Sequence, residues 1–172
     1  MRQQARGGFT TLLMTLAALA AAAPAHAASN QVATVSATIV KPLTLKWVQN
    51  LDLGTIVLGP GTWSNATVGI SRTGTFSCTN ANVTCSGATR VAQYNVTGTN
   101  NTVARITAPN VTLVNQSDAT KTLTLVVDSP GTVPIPNSGN PGVNFSLGGS
   151  IAVSSSTVGG VYSGTFNVTV DY

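Results

Sequence analysis

Residues 162–172 alternate without a fault. Tyr162, Gly164, Phe166, Val168, Val170 and Tyr172 fall on one side, and Ser163, Thr165, Asn167, Thr169 and Asp171 on the other. Side chains alternate across a strand with period two, so this stretch predicts a half-buried β-strand with one apolar face. The strand runs to the last residue of the sequence. An apolar strand in that position must be paired and covered, or it becomes a template for aggregation. What covers it is the functional question.

The same period recurs along the chain, and no helical period appears after residue 27. Ala33, Val35, Ala37 and Ile39 share one face, opposite Thr34, Ser36 and Thr38. Pro42 marks a break, since proline cannot donate to a ladder. Leu43, Leu45 and Trp47 begin another strand, followed by Leu51-Asp-Leu-Gly-Thr-Ile56, in which Asp52 reads as a solvent-facing residue. Val68 with Ile70, Ala92 with Tyr94 and Val96, Val111 with Leu113, and Leu123 with Leu125 and Val127 continue the pattern. Gly59-Pro-Gly61 and Ser129-Pro-Gly131 read as turns, and residues 134–142 as a Pro/Gly/Asn-rich loop. Phe145 and Leu147 precede an expected break at Gly148 and Gly149, after which Ile151 and Val153 form a short strand. Many short strands between turn signals predict an all-β fold, an immunoglobulin-like antiparallel β-sandwich. A composition rich in Thr, Ser, Asn, Val and Gly agrees with that.

The N-terminus reads as a secretory signal peptide over residues 1–27. Arg2 and Arg6 supply positive charge, residues 12–23 a short apolar stretch, and Ala25-His26-Ala27 a small-x-small cleavage site. The apolar stretch is shorter than the roughly 20 residues a spanning helix needs. The expected layout is therefore a leader, an N-terminal extension over 28–40, and one domain over 41–172, with no transmembrane helix once the leader is cleaved.

Removing the leader strips the chemistry. The chain has one His, His26, and no Glu; its carboxylates are Asp52, Asp118, Asp128 and Asp171. A Ser or Cys nucleophile would lack its usual base. There is no Gly-x-Ser-x-Gly elbow, no phosphate loop and no Asp-rich calcium loop. No enzymatic activity, metal or cofactor is expected. No basic run marks a nucleic-acid binder, and Arg72, Arg90 and Arg105 read as solvated surface charges.

Cys78 and Cys85 are expected to pair in an exported protein, closing a small loop at a hairpin end. Their spacing matches neither a Cys-x-x-Cys redox motif nor a zinc ligand set. Asn-x-Ser/Thr sequences at Asn65, Asn82, Asn95, Asn100, Asn110, Asn115, Asn144 and Asn167 are read as a product of composition, because Val-Thr suits strands. Trp63, on a turn-rich loop, is the candidate for stacking on a ligand such as a sugar; the competing role is to cover the end of the sandwich.

The order of an alternating N-terminal segment, a second strand, Leu51-Asp-Leu-Gly-Thr-Ile56 and the alternating terminal strand resembles the pilin side of the chaperone–usher systems. It is most similar to spore coat protein U-like subunits and to a related proteobacterial secreted domain family of unknown function. The resemblance implies a sandwich lacking its last strand. A periplasmic chaperone lends a strand during export, and at the outer-membrane usher the N-terminal extension of the next subunit replaces it. Carried onto this sequence, Ala33, Val35, Ala37 and Ile39 would be the donor residues. Tyr162, Phe166, Val168, Val170 and Tyr172 would line the acceptor groove and the chaperone contact. The implied partners are like subunits, a chaperone and an usher, and the implied location is a fimbrium at the cell surface. Such pilins often carry a Cys in the first domain strand, where this chain reads Leu43-Thr-Leu-Lys-Trp47. The alternative reading is a monomeric secreted sandwich, a surface or carbohydrate-binding module, whose N-terminal segment completes its own domain.

Overall fold

A computed structural model describes residues 31–136 and 142–172. The expected leader lies outside the described residues, as does part of the expected 134–142 loop. The chain divides into two units, residues 1–37 and 38–172. Of the first, residues 31–37 are described; they are exposed and enter no ladder.

Among its described residues the second unit forms thirteen strands and no helix. In chain order these are β1 (Thr44–Gln49), β2 (Thr55–Leu58), β3 (Ala66–Ile70), β4 (Phe76–Ser77), β5 (Val83–Ser86), β6 (Ala92–Thr97) and β7 (Thr102–Thr107). They continue with β8 (Val111–Asn115), β9 (Thr122–Asp128), β10 (Thr132–Ile135), β11 (Val143–Val153), β12 (Tyr162–Ser163) and β13 (Thr169–Asp171). Every pairing is antiparallel, and the expected all-β sandwich is what forms. The large sheet runs β1-β6-β11-β9-β8-β12, with β3 on β11 and β4 on β3. A small sheet runs β10-β7-β13, and β2 pairs with β5 as a separate ribbon.

Two core clusters fill the unit. The first joins Ala92, Val96, Phe145 and Leu147 of the large sheet to Ala104, Ile106, Val133 and Ile135 of the small one. The second joins Ala66, Val68, Val111, Leu125, Ile151 and Val153 of the large sheet to Val83 of the ribbon. These are the inward members of alternating strands, as period-two patterning requires.

β11 serves both clusters, and here the structure corrects two expectations. Gly148 and Gly149 do not break the strand. Residues 143–147 pair with β6, residues 148–151 with β9 on one edge, and residues 149–153 with β3 on the other. A side chain at Gly148 would collide with the Ile70 carbonyl oxygen and the Arg72 nitrogen, so glycine here permits a close backbone approach where partners change. Pro134 likewise belongs to a strand. β10 pairs only with β7, and proline is tolerated on such an edge.

The Cys78–Cys85 disulfide is present. It does not close a hairpin, because β4 pairs with β3 and β5 pairs with β2. It fastens the ribbon to the large sheet beside the second core, where both cysteines pack. A second tie is the Asp128 carboxylate, which accepts the Arg72 N–H at 2.8 Å and the Arg72 guanidinium at 2.6 Å. Arg72 is therefore an ion-pair member at the end of β3, beyond the solvated charge expected of it.

Replacing both Cys78 and Cys85 with Ser is expected to lower unfolding stability by about 2–3 kcal/mol, the loop-closure value for so short a loop. Urea denaturation of the oxidised protein and the variant measures it. A second expectation concerns acid. The Arg72 N–H, with smaller help from its side chain, holds the Asp128 carboxyl below its ordinary 3.8, against a partial opposing effect of burial. A depressed folded value contributes stability that is present above the unfolded pKa and is lost as pH falls through the folded one. Asp128→Asn should therefore remove part of the stability loss below pH 3.8. The effect should not exceed about 1 kcal/mol, because both side chains are substantially open to solvent. Asp118, hydrogen-bonded by the Thr120 hydroxyl and N–H, shifts in the same direction and keeps its share. Denaturant melts of both proteins across the acid range read the difference.

Candidate functional site

The terminal segment keeps its alternation but not an unbroken ladder. Tyr162 and Ser163 pair with Asn115 and Val114 of β8, and residues 169–171 pair with residues 105–107 of β7. Residues 164–168 make no rung. Opposite them the neighbouring chain passes from β7 to β8 through Pro109, which has no N–H to offer. The register slips by one residue across this gap. The segment thus crosses from the large sheet to the small one alongside its neighbour.

Phe166, Val168 and Val170 pack on the first core, yet each is only half-buried. The same holds for Leu43 and for Leu45 of β1, which pack on the same core from the large sheet. β1 pairs only with β6, and β13 only with β7. Among the described residues, then, the outer edge of each has no ladder partner. Two unpaired strand edges, one per sheet, flank a core whose inward side chains there are incompletely covered. Deeper residues of that core, Val96, Ala104 and Leu147, are sealed.

One end of this opening is fixed by a hydrogen-bond knot. The Thr99 N–H donates to the Tyr172 hydroxyl oxygen at 2.8 Å, and the Tyr172 O–H donates to the Lys41 carbonyl. The Lys41 N–H in turn donates to Thr99 Oγ1 at 2.6 Å. Gly98 makes room, since a Cβ there would stand 2.6 Å from Leu43 Cδ2 and 2.7 Å from the Tyr172 hydroxyl. The other end is aromatic. Trp47 lies directly across from Tyr94, whose ring stacks on Phe145 at 5.6 Å. Directly paired residues share a face, so Trp47 sits on the core side of the sheet, yet it is 57% exposed. Its indole N–H is held by Asn50 Oδ1 at 3.0 Å. Burial raises the Tyr94 phenol above its ordinary value, so it stays a neutral donor.

Of the five expected acceptor residues, Phe166, Val168 and Val170 come together in the opening and Tyr172 closes one end. Tyr162 lies apart: it pairs with β8, and its hydroxyl donates to the Val158 carbonyl at 2.8 Å. The second wall, Leu43 and Leu45 with Trp47 at its end, was not assigned to the groove from sequence, although the same alternation runs through it. The expected donor residues Ala33, Val35, Ala37 and Ile39 are exposed, Val35 at 91% and Ile39 at 89%, and no ladder includes them. Alternation gives a segment a face; a ladder also needs a neighbour.

Trp63 is half-buried against the second core, with its indole N–H donated to the Gly59 carbonyl at 3.2 Å and its backbone tied to Ser155. Several sequon asparagines have structural work. Asn95 donates to Asn144, Asn110 accepts the Val127 N–H, and the buried Asn115 bonds Gly159 and Ser117. The four carboxylates are dispersed: Asp52 bridges to Arg90, Asp118 caps a turn, Asp128 holds Arg72, and Asp171 lies on β13. Among the described residues no three His, Cys, Asp or Glu side chains are placed to hold a metal ion, and no helix is long and apolar enough to cross a membrane.

No curated protein and no solved structure matches the chain. Residues 43–172 match the family described as a domain of unknown function, DUF4402, and the chain belongs to that family.

Proposed function

We propose that this chain is a structural subunit of a fimbria-like surface polymer, assembled by donor-strand complementation. The incoming strand is the N-terminal segment of a second copy, residues 28–40, laid between β1 and β13. A single observation carries this reading: two unpaired edges, one on each sheet, flank a core left half-covered between them. An added strand supplies backbone partners to an open edge and side chains to the opening in one step.

The dimensions agree. Residues 33–39 of an extended donor span about 20 Å at ~3.3 Å per residue, and the wall from Phe166 to Tyr172 spans the same. The donor is apolar on one face and carries no charged side chain before Lys41. Burying Val35 and Ile39 would contribute about 1.5–3 kcal/mol each, with less from the alanines. The family match begins at Leu43, leaving the proposed donor outside it. Passage through the periplasm on a chaperone, hand-over at an outer-membrane usher and display at the cell surface complete the reading. The resemblance to chaperone–usher pilins contributes those steps, along with the leader-like N-terminus.

The exported chain, co-purified with its chaperone, should give a ladder of heat-labile, denaturant-resistant multimers on a gel run without boiling. Deleting residues 28–40, or changing Ile39 to Asp, should abolish the ladder while chaperone binding survives. A ladder that persists after the deletion sinks the donor role. A clean monomer with a protected N-terminal segment would instead support the self-completed sandwich. An optical signal should accompany assembly. Trp47 should pass from water to cover and shift its emission to the blue, whereas Trp63, already packed, should not. The Trp47→Phe variant should lose that shift; a shift that persists in the variant would place the covered surface elsewhere.

A further inference from the structure

We infer that the Tyr172 hydroxyl selects which chain fills the groove, a role that rests on the strand-exchange reading and goes beyond it. A covalently attached segment has a large advantage over a free one. Tethered through a short flexible link, its effective concentration is of order millimolar. The chain's own residues 33–39 carry the same apolar face that a second copy offers, so without an opposing device the domain would complete itself and stop polymerising.

To enter its own groove antiparallel to β1, the segment must reverse over residues 40–43, because β1 begins at Thr44. Two independent features oppose that reversal. Pro42 would fall at the third position of a tight turn over these residues, where proline is disfavoured, and it biases Lys41 toward an extended backbone. In addition, both backbone polar groups of Lys41 are already engaged by side chains. Its N–H donates to Thr99 Oγ1 at 2.6 Å, and its carbonyl accepts the Tyr172 O–H. Tyr172 is itself held by the Thr99 N–H at 2.8 Å, and its oxygen lies 3.2 Å from Thr99 Oγ1. The knot joins the end of the terminal strand, the β6–β7 turn and the approach to β1. It fixes the direction of the chain at Lys41 while leaving the groove between β1 and β13 open. Tyr172 therefore acts as a positioning residue: it favours a second copy by restraining the first.

The test compares the exported chain with Tyr172→Phe, which keeps the ring and removes the hydroxyl, and with Thr99→Val, which removes Oγ1. Light scattering gives the monomer share, and amide hydrogen exchange gives protection at residues 33–39. The unaltered chain should form multimers, with protection of 33–39 confined to them. In Tyr172→Phe the monomer share should rise by up to about tenfold, the weight of one hydrogen bond, and residues 33–39 should become protected within the monomer. Thr99→Val should move both readouts the same way, and it carries the test if the first variant folds poorly. Multimers that are lost on deleting 28–40 but are indifferent to both substitutions overturn the role of Tyr172 alone. Multimers that survive the deletion overturn strand exchange itself.

Discussion

The fold depends on one strand changing partners without breaking. β11 runs from Val143 to Val153 and holds β6 along its first half, then β9 and β3 along its second. Phe145 and Leu147 enter one core, Ile151 and Val153 the other. The exchange occurs at Gly148, where the backbone after β3 comes closer than any side chain would allow. Were β11 to end there, β1-β6-β11 would part from β9-β8-β12, and β3 with β4 would be left as a two-stranded unit. Small isolated β-units of that kind are marginal in water. The small sheet and the disulfide-fastened ribbon are then covers, one over each half of the large sheet.

The terminal segment is the corresponding crossing on the outside. It starts on β8 and ends on β7 because its neighbour makes the same passage through Pro109. This places Phe166, Val168 and Val170 over the first core while leaving their strand at an edge. β1 reaches the same core from the large sheet and is also an edge. The opening between them follows from topology, since each sheet ends on a strand that points its apolar residues inward and, among the described residues, has no further neighbour.

Much of this was legible in the sequence, for a specific reason. Where a strand is buried on one face, alternation is strict, as in Ala92, Tyr94 and Val96 or Leu123, Leu125 and Val127. β7 was harder to see, because an apolar residue, Val103, points outward while the small Ala104 points inward, which blurs the period. Gly148 read as a break because glycine weakens a strand unless something packs against its missing side chain, and that something comes from β3, far away in sequence. The C-terminal wall of the groove was legible from the alternation at Phe166, Val168 and Val170. The β1 wall was not, because period two identifies a face and does not say whether a neighbour closes over it. The Tyr172 knot joins residues 41, 99 and 172 through two side chains and the backbone, and no local pattern carries such a tie.

Open edges are hazardous, and natural sheets blunt them with charge, proline and bulges. β1 has all three near at hand: Lys46 points outward, Pro42 precedes the strand, and the ladder with β6 is bulged at Val48. These devices act on the backbone edge and on the solvent face. None of them covers Leu43, Leu45 or Trp47 on the core side. An indiscriminate strand is therefore discouraged by charge and broken register, while one with an apolar face of the right length still gains by covering the core. On the proposed reading, that combination suits an edge kept for one partner. The alternating run at Ala33, Val35, Ala37 and Ile39, without charged side chains and exposed, fits that description. Groove and filler are thus patterned alike within one sequence. On the proposed strand exchange, an identical copy is the partner for which both halves of the match can be selected together.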